Sequence, residues 1–223
     1  MKRTKLSDRQ LPNYTNGEEC MNMVTHIVGG GMAVLALVGC CWVSILHQNL
    51  LGVLCAAIYG FSMVALYCMS SIYHGLRPGM GKKVLQVLDH CTIYFLIAGT
   101  YTPLALVAIR PIYPGIGWGL TAFQWTLTAL AVTLTAIDLK KYSAFSMICY
   151  ICMGWAVLPF MGQLKTVLGT AGFGFLLSGG IAYTLGAILY GVGAKKHWFH
   201  SIFHIFVVLG SALQLICILF YVL

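Results

Sequence analysis

The sequence predicts an all-α fold, a seven-transmembrane helix bundle with its N-terminus in the cytoplasm and its C-terminus outside. The first reason is composition: of 223 residues, 60% are hydrophobic and only 8% are charged, too few to cover a soluble globule. The second reason is the number of long apolar segments, and the third is the distribution of lysine and arginine between the loops.

Seven apolar segments are long enough to cross the hydrocarbon core as helices, which takes about 20 residues each. In chain order they cover residues 25–46, 51–76, 84–109, 117–137, 142–161, 170–193 and 198–223. The loops are short, so we expect a cytoplasmic N-terminal segment, residues 1–24, and one transmembrane domain, residues 25–223. The first 24 residues lack the order of a secretory signal, so nothing should be removed.

Basic residues are concentrated on one side of the predicted bundle. The N-terminal segment and the second, fourth and sixth loops hold 11 of the 13 lysines and arginines. These are Lys2, Arg3, Lys5, Arg9, Arg77, Lys82, Lys83, Lys140, Lys141, Lys195 and Lys196. Only Arg110 and Lys165 fall on the other side, and this asymmetry places the N-terminal side in the cytoplasm of a cell inner-membrane protein. The charges are spread along membrane spans, so the expected partner is anionic lipid, not nucleic acid.

Four ionisable residues fall at one depth, close to the cytoplasmic ends of three predicted spans. At 1.5 Å per residue, His74, Asp89, His200 and His204 lie about 4, 8, 3 and 9 Å inside their spans. His200 and His204 are spaced i,i+4, which puts both rings on one helical face. Single histidines near helix ends are commonly structural, but three with a carboxylate at the same level favour a metal site.

Other polar residues have weaker signals. Ser70 lies one turn deeper than His74, on the interior side of a metal held there. Glu19, Asn22 and His26 stand at i, i+3 and i+7, and this stripe either braces the site or caps the helix. The remaining histidines are predicted to stay outside the metal shell. His90 points elsewhere around its helix, which favours an interface or supporting role, and His47 and His197 are expected to be solvated.

The chain resembles the bacterial hemolysin III family, a branch of the progestin and adiponectin receptor superfamily that is also similar to alkaline ceramidases. The matching stretches are EECMNMVTH, SSIYHGL, LDHCTIYFLIAGTYTP, MGW, GGIAYTLGAILYGVG and HSIFHIFVVLGSALQ. The resemblance implies seven helices around a Zn²⁺ ion near the cytoplasmic face, held by His74, His200 and His204. It places Asp89 close by, directly or through a water, with Ser70 facing the site. It also implies hydrolysis of lipid amides and a role in membrane-fluidity homeostasis.

Two functions remain open from the residues themselves. With three protein ligands, zinc keeps a position for water. Asp89 could then pass a proton to a leaving amine, and Ser70 could stabilise an oxyanion, on a lipid whose acyl chain lies in the bundle. Alternatively, the metal pins helix ends together, Asp89 fills the fourth place, and the protein is a non-enzymatic regulator or receptor of membrane fluidity. The predicted spans otherwise lack buried lysine, arginine and glutamate, which argues against a pore-forming hemolysin.

Overall fold

The computed structural model describes residues 4–193 and 196–223, and this part of the chain is helical, without β-strands. The predicted all-α class is therefore confirmed. Seven α-helices are present in the described ranges. They are α1 (Asn16–Leu46), α2 (Leu50–Gly75), α3 (Met80–Pro103), α4 (Pro114–Ile137), α5 (Ser143–Gly154), α6 (Met161–Val192) and α7 (Phe199–Tyr221). Three predicted cytoplasmic charges, Lys2, Arg3 and Lys195, lie outside the described residues.

Six helical stretches of the described chain are long and apolar enough to cross a membrane. They are Asn16–Leu46, Leu50–Gly75, Met80–Ile109, Pro114–Ile137, Ser143–Val192 and Phe199–Tyr221. The stretch Ser143–Val192 has 50 residues and contains α5 and α6, so it includes the predicted spans 142–161 and 170–193 almost completely. Whether it crosses once or twice decides between six and seven passes.

The distribution of side chains is that of a protein surrounded by lipid. Large apolar residues such as Leu35, Leu50 and Phe220 are 70% or more exposed. Polar residues such as Asn22 and Gln124 are fully buried between the helices. A soluble protein would show the opposite arrangement, so the exposed apolar surface is the surface that faces acyl chains.

Contacts between distant residues show which helix ends meet. At one end, here called the basic end, Glu19 near the start of α1 contacts His74 near the end of α2 and Lys82 at the start of α3. At the opposite end, the His47 Nδ1 atom lies 2.7 Å from the carbonyl oxygen of Leu223. The helices therefore run between two well-defined faces.

Two helices depart from regular geometry. Pro103 ends α3, and Leu104–Ile109 continues it as a π-helix, as expected where proline removes a backbone donor. Within α6, Gly169 has φ 66° and ψ 177°, a conformation that only glycine adopts without strain. The chain direction therefore changes at Gly169.

Helix α1 begins at Asn16, nine residues before the predicted span 25–46. Thr15 and Glu18 form a capping box: the Thr15 side chain accepts from the Glu18 N–H, and the Glu18 carboxylate accepts from the Thr15 N–H at 2.8 Å. Because of this earlier start, Glu19 and Asn22 are helical and project into the bundle.

The segment before α1 is attached to the loop between α4 and α5. The Asp138 carboxylate accepts two backbone hydrogen bonds, one from the Thr4 N–H at 2.8 Å and one from the Lys141 N–H at 3.1 Å. These two backbone donors hold the pKa of Asp138 at about 2. Because the ordinary value is about 3.9, the attachment should be complete above about pH 4 and lost as pH falls through about 2.

We therefore expect Asp138→Asn to release this segment at neutral pH. The amide carries no charge and accepts these N–H groups more weakly, so cleavage of residues 4–12 by a protease should become several-fold faster. Cleavage rates of the wild type and of Asp8→Asn, an exposed carboxylate on the same segment, provide the reference. Equal rates in all three proteins would contradict the assignment of Asp138 as the anchor.

Candidate metal centre

Three histidines meet at the basic end of the bundle. The ring nitrogens of His74, His200 and His204 lie within 4.8 Å of one another, and among the described residues they form the group suited to hold a metal ion. The His200 Nε2 atom is 3.4 Å from the His74 Nε2 atom and 3.0 Å from the His204 Nε2 atom. The convergence predicted from the sequence is therefore present for these three residues.

The spacing of these nitrogens fits a single small cation. Tetrahedral ligands at 2.0–2.1 Å from zinc are about 3.3 Å apart, close to the two observed Nε2 separations. Each ring presents its Nε2 atom toward the others, and neutral imidazoles in this arrangement direct lone pairs at one another. A cation between them would turn this repulsion into coordination, so the donor set fits a divalent metal.

Hydrogen bonds fix the tautomers of two rings. The His74 Nδ1 atom lies 2.6 Å from a Glu19 carboxylate oxygen, and the His204 Nδ1 atom lies 3.3 Å from the carbonyl oxygen of Asn22. Both partners accept hydrogen bonds, so each Nδ1 carries the proton and each Nε2 keeps a free lone pair. In metal-bound histidines, the ring nitrogen that does not bind the metal commonly donates to a carboxylate or a backbone carbonyl in this way. The predicted Glu19, Asn22 and His26 stripe thus braces the site through its first two members.

Lys82 completes this support. Its side chain is only 4% exposed, and its ammonium donates to the second Glu19 oxygen at 2.6 Å and to the carbonyl oxygen of Leu76 at 2.9 Å. Glu19 therefore stands between a lysine and His74, and the lysine positive charge balances the carboxylate. Lys82 was predicted to lie in a loop, but it belongs to the first turn of α3 and its side chain is buried.

A network at the start of α1 positions His200. The Glu18 carboxylate accepts the Trp198 N–H at 2.6 Å and approaches the His197 Nδ1 atom at 3.2 Å. This ties α1 to the turn that precedes α7. Tyr14 stacks on the His200 ring with centroids 4.9 Å apart. Burial raises the pKa of the Tyr14 hydroxyl, so it remains a neutral phenol over the site.

Asp89 and Ser70 lie in the wall of a cavity that opens beside the imidazoles. The cavity has a volume of about 970 Å³, and its lining includes Ser70, Asp89, His200 and His204. The Asp89 side chain is 14% exposed, and one of its carboxylate oxygens lies 3.9 Å from the His90 Nδ1 atom. Asp89 is not part of the imidazole cluster in the described chain, so its role as a ligand stays a prediction, as do the catalytic roles of both residues.

The other histidines occupy separate positions. His26 is buried and stacks on His204 with centroids 3.8 Å apart, next to the metal group but outside it. The His90 Nδ1 atom lies 2.8 Å from the Gln86 carbonyl oxygen, and His90 lines the cavity outside the imidazole cluster, so its interface or supporting role stays a prediction. His47 is exposed at the opposite end, and the His197 side chain is 72% exposed.

Sequence analysis missed three residues of the site: Glu18, Lys82 and Tyr14. The motif Thr15-Asn-Gly-Glu18 is a capping-box pattern and could have placed the helix start. No local pattern indicates that Lys82 reaches Glu19, 63 positions away. The same holds for Tyr14, whose stacking partner follows far along the chain.

We expect Glu19→Ala to weaken metal binding by about 10- to 100-fold, because His74 loses the carboxylate that orients it and Lys82 loses its counter-charge. The measurement is a competitive Zn²⁺ titration against a chromophoric chelator in detergent. Met21→Ala, an exposed side chain of the same helix turn, should leave the affinity unchanged. Equal affinities for both variants would show that Glu19 does not support the site.

Comparison with known proteins agrees with the sequence motifs. The family model described as "Haemolysin-III related" matches residues 14–215. A hemolysin-3 of Bacillus cereus is 37% identical over 210 residues, covering 92% of both chains. A hemolysin-3 homolog of Bacillus subtilis (strain 168) is 34% identical over 208 residues, covering 93% of this chain and 96% of that protein.

A more distant relative comes from mammals. The human monocyte to macrophage differentiation factor is 26% identical over 205 residues, covering 88% of this chain and 81% of that protein. Residues 14–215, the region that the family model matches, contain six of the seven helices completely, most of α7 and all three clustered histidines. With its apolar helices and exposed apolar surface, this chain is a multi-pass membrane protein, and it belongs to the haemolysin-III-related family.

Proposed function

We propose that this protein is a zinc-dependent hydrolase of lipid amide bonds that contributes to membrane homeostasis. One observation carries the proposal: three converging imidazoles stand at the end of a large, mostly apolar cavity whose wall also contains Asp89 and Ser70. A metal that served structure alone would need no such cavity. An active site that acts on lipids needs both a polar centre and room for an acyl chain.

We further propose seven membrane crossings with a cytoplasmic N-terminus and an external C-terminus. In support, the 50 residues of Ser143–Val192 are enough for two crossings of about 20 residues each. The stretch starts five residues after Asp138, which binds Thr4 at the basic end. It stops beside Gly193, which packs against Phe199 at the start of α7. Both ends thus lie at the basic end, and Gly169 provides the reversal.

The orientation and location follow from charge. Eleven of 13 basic residues fall in the N-terminal segment and the second, fourth and sixth loops of the sequence-based topology, and the positive-inside rule assigns that side to the cytoplasm. We therefore assign the protein to the cell inner membrane, with residues 25–223 forming the transmembrane domain. Membrane lipids are the proposed partners, because the exposed apolar surface would face them and the cavity is lined mostly by apolar surface.

The residues have distinct proposed roles. His74, His200 and His204 would hold the metal; a bound zinc ion lowers the pKa of coordinated water to about 7 and polarises a carbonyl oxygen. Asp89 would accept a proton from the attacking water and deliver it to the leaving amine. Ser70 would donate a hydrogen bond to the oxygen that becomes negative as the amide carbonyl is attacked. Hydrolysis of one amide bond by one water then yields a fatty acid and an amine.

The cavity shape supports an acyl substrate. On α7 its lining residues recur on one helical face: His200, Phe203, His204, Val207 and Gln214. The first and last of these residues are 14 positions apart, which corresponds to about 21 Å along the helix axis. The metal group lies at one end of this face and Gln214 at the other. A long acyl chain could therefore extend into the bundle with its amide at the imidazoles.

A second function is supported by the bracing network. Glu19 and Asn22 from α1, His74 from α2 and Lys82 from α3 all connect to a metal group that also includes α7. Membrane helices lack a strong hydrophobic drive for association, so a metal joining them would be an effective staple. In this alternative the protein responds to, or regulates, membrane fluidity without turnover.

Measuring fatty acid release distinguishes the proposed hydrolase from a protein in which the metal only joins the helices. Purified protein loaded with Zn²⁺ is incubated with a ceramide, a phospholipid and a triglyceride in mixed micelles, and released fatty acid is measured by mass spectrometry. Release from ceramide that disappears on chelation and returns with Zn²⁺ is the expected result. Protein that binds one zinc per chain but releases no fatty acid from any of the three lipids favours the staple.

A further inference from the structure

The segment that precedes α1 lies across the mouth of the cavity. Six of its residues, Thr4, Asp8, Arg9, Gln10, Leu11 and Pro12, line the opening. Hydrogen bonds hold it there: the Thr4 N–H donates to the Asp138 carboxylate, and the Lys83 ammonium donates to the Ser7 carbonyl oxygen at 2.5 Å. Anything that enters the cavity from this end must pass this segment.

Arg9 is the unusual member of the segment. It is only 7% exposed, and its Nε and Nη1 atoms have no hydrogen-bond partner among the described residues. The hydrogen bond that its Nη2 atom donates to the carbonyl oxygen of Ile137 is long at 3.5 Å. A buried guanidinium with open donors is costly, so such a group is expected to have an anionic partner when the site is filled.

No residue that the structure describes forms a hydrogen bond with these two nitrogens. Asp138 attracts the Arg9 charge and accepts the Thr4 and Lys141 N–H groups, but among the described residues no carboxylate oxygen lies within 4.0 Å of the Arg9 guanidinium. Asp8 and Lys140 also line the opening, and Asp89 and His90 lie farther along the wall. Asp8 is exposed and accepts a hydrogen bond from Ser7 at 2.8 Å.

We propose that Arg9 binds the phosphate of an anionic lipid whose acyl chain occupies the cavity. A guanidinium donates two parallel hydrogen bonds to a phosphate, and Nε with one terminal nitrogen is the edge used for such pairing. Phosphate is the anion that membrane lipids present at headgroup depth. The inference rests on the proposed function only in that the cavity takes an acyl chain; it does not require turnover.

The position of Arg9 relative to the imidazoles is consistent with one lipid contacting both. Tyr14 follows Arg9 by five residues, so the Cα atoms of Arg9 and Tyr14 are at most about 17 Å apart. The Tyr14 ring in turn stacks on His200. A headgroup held at Arg9 would therefore place the first part of its acyl region within reach of the metal group. This assigns an anionic lipid with a phosphate-bearing head as a ligand of the cavity, whether or not that lipid is hydrolysed.

Binding measurements test the proposal on the full-length, Zn²⁺-loaded protein in a neutral detergent. Titration calorimetry compares dodecyl phosphate, dodecanol and inorganic phosphate, none of which is hydrolysed by an amidase. We expect dodecyl phosphate to bind wild type at least tenfold more tightly than the other two, and Arg9→Gln to lose about 10- to 100-fold of that affinity. Tight binding of inorganic phosphate that depends equally on Arg9 would identify an anion site without a lipid role and overturn the lipid assignment.

Three further variants distinguish the guanidinium from its surroundings. Arg9→Lys keeps the positive charge but lacks the two parallel N–H donors of the guanidinium, so it should bind dodecyl phosphate with intermediate affinity. Arg77→Gln removes an exposed arginine that does not line the cavity, and it should bind like wild type. Lys83→Gln loosens the segment but keeps Arg9, so it should lose less affinity than Arg9→Gln. If Lys83→Gln and Arg9→Gln lose the same amount, closure of the segment and not anion pairing controls binding, and the proposal fails.

Discussion

Replacing His200 and His204 by alanine should remove the metal from the protein. We expect about one zinc per chain in the wild type and less than about a tenth of that in the double variant, because a site that keeps one of three imidazoles loses most of its affinity. Metal content is measured by inductively coupled plasma mass spectrometry after purification without chelators. The thermal midpoint of the double variant should fall to that of the chelated wild type.

The control for this experiment is His47→Ala. His47 is an exposed histidine at the opposite end of the bundle, where its ring lies against the C-terminal carbonyl oxygen. It should retain a full complement of zinc. A double variant that still carries one zinc per chain would reject the imidazole site. A double variant whose melting lies well below that of chelated wild type would instead reveal a packing role for the rings.

The convergence of three histidines could be predicted because membrane geometry removes most of the freedom of the chain. Once spans and orientation are set, depth follows from residue count, and His74, His200 and His204 fall into one layer. The i,i+4 spacing then fixes the relative direction of two rings. Three of the four predicted ligands therefore come together in the structure, within 4.8 Å.

The surroundings of the site could not be predicted in the same way. Asp89 lies at the right depth, but depth does not specify rotation about α3, and its carboxylate lines the cavity rather than joining the imidazole cluster in the described chain. Lys82 and Glu19 form a buried ion pair across 63 positions. Such pairs depend on how helices rotate and pack, and a single sequence contains no direct record of that rotation.

The number of crossings shows a similar limit. Hydropathy separates residues 142–161 from residues 170–193. In the structure, helix α6 already begins at Met161, and its backbone departs from helical geometry only at Gly169. The polar residues between the two predicted spans, including Lys165, are helical and not an open loop. Helix boundaries follow hydrogen bonding, and membrane boundaries follow solvation, so the two descriptions differ where a helix turns at the membrane surface.

The Asp89→Asn variant separates a hydrolase from a metal staple. If Asp89 transfers the proton, asparagine should lower kcat for ceramide hydrolysis by about 10²- to 10⁴-fold with little change in KM. Zinc content should stay near one per chain, because the imidazole cluster is intact. A variant that loses zinc and activity together would instead identify Asp89 as a ligand. Unchanged fatty acid release would exclude Asp89 from the reaction.

Ser70→Ala completes this comparison, because it removes the hydrogen bond proposed for the developing oxyanion and should lower kcat by about 10²- to 10³-fold. The matched control is the next residue: Ser71 donates to the Tyr67 carbonyl oxygen at 2.7 Å and does not line the cavity, so Ser71→Ala should keep wild-type kinetics. Equal decreases of kcat in both serine variants would mean that the substitutions act by disturbing helix α2 and not by removing a hydrogen bond to the substrate. A loss confined to Ser70→Ala, with zinc retained, would mean that the hydroxyl acts on the substrate in the cavity, which a purely structural metal does not require.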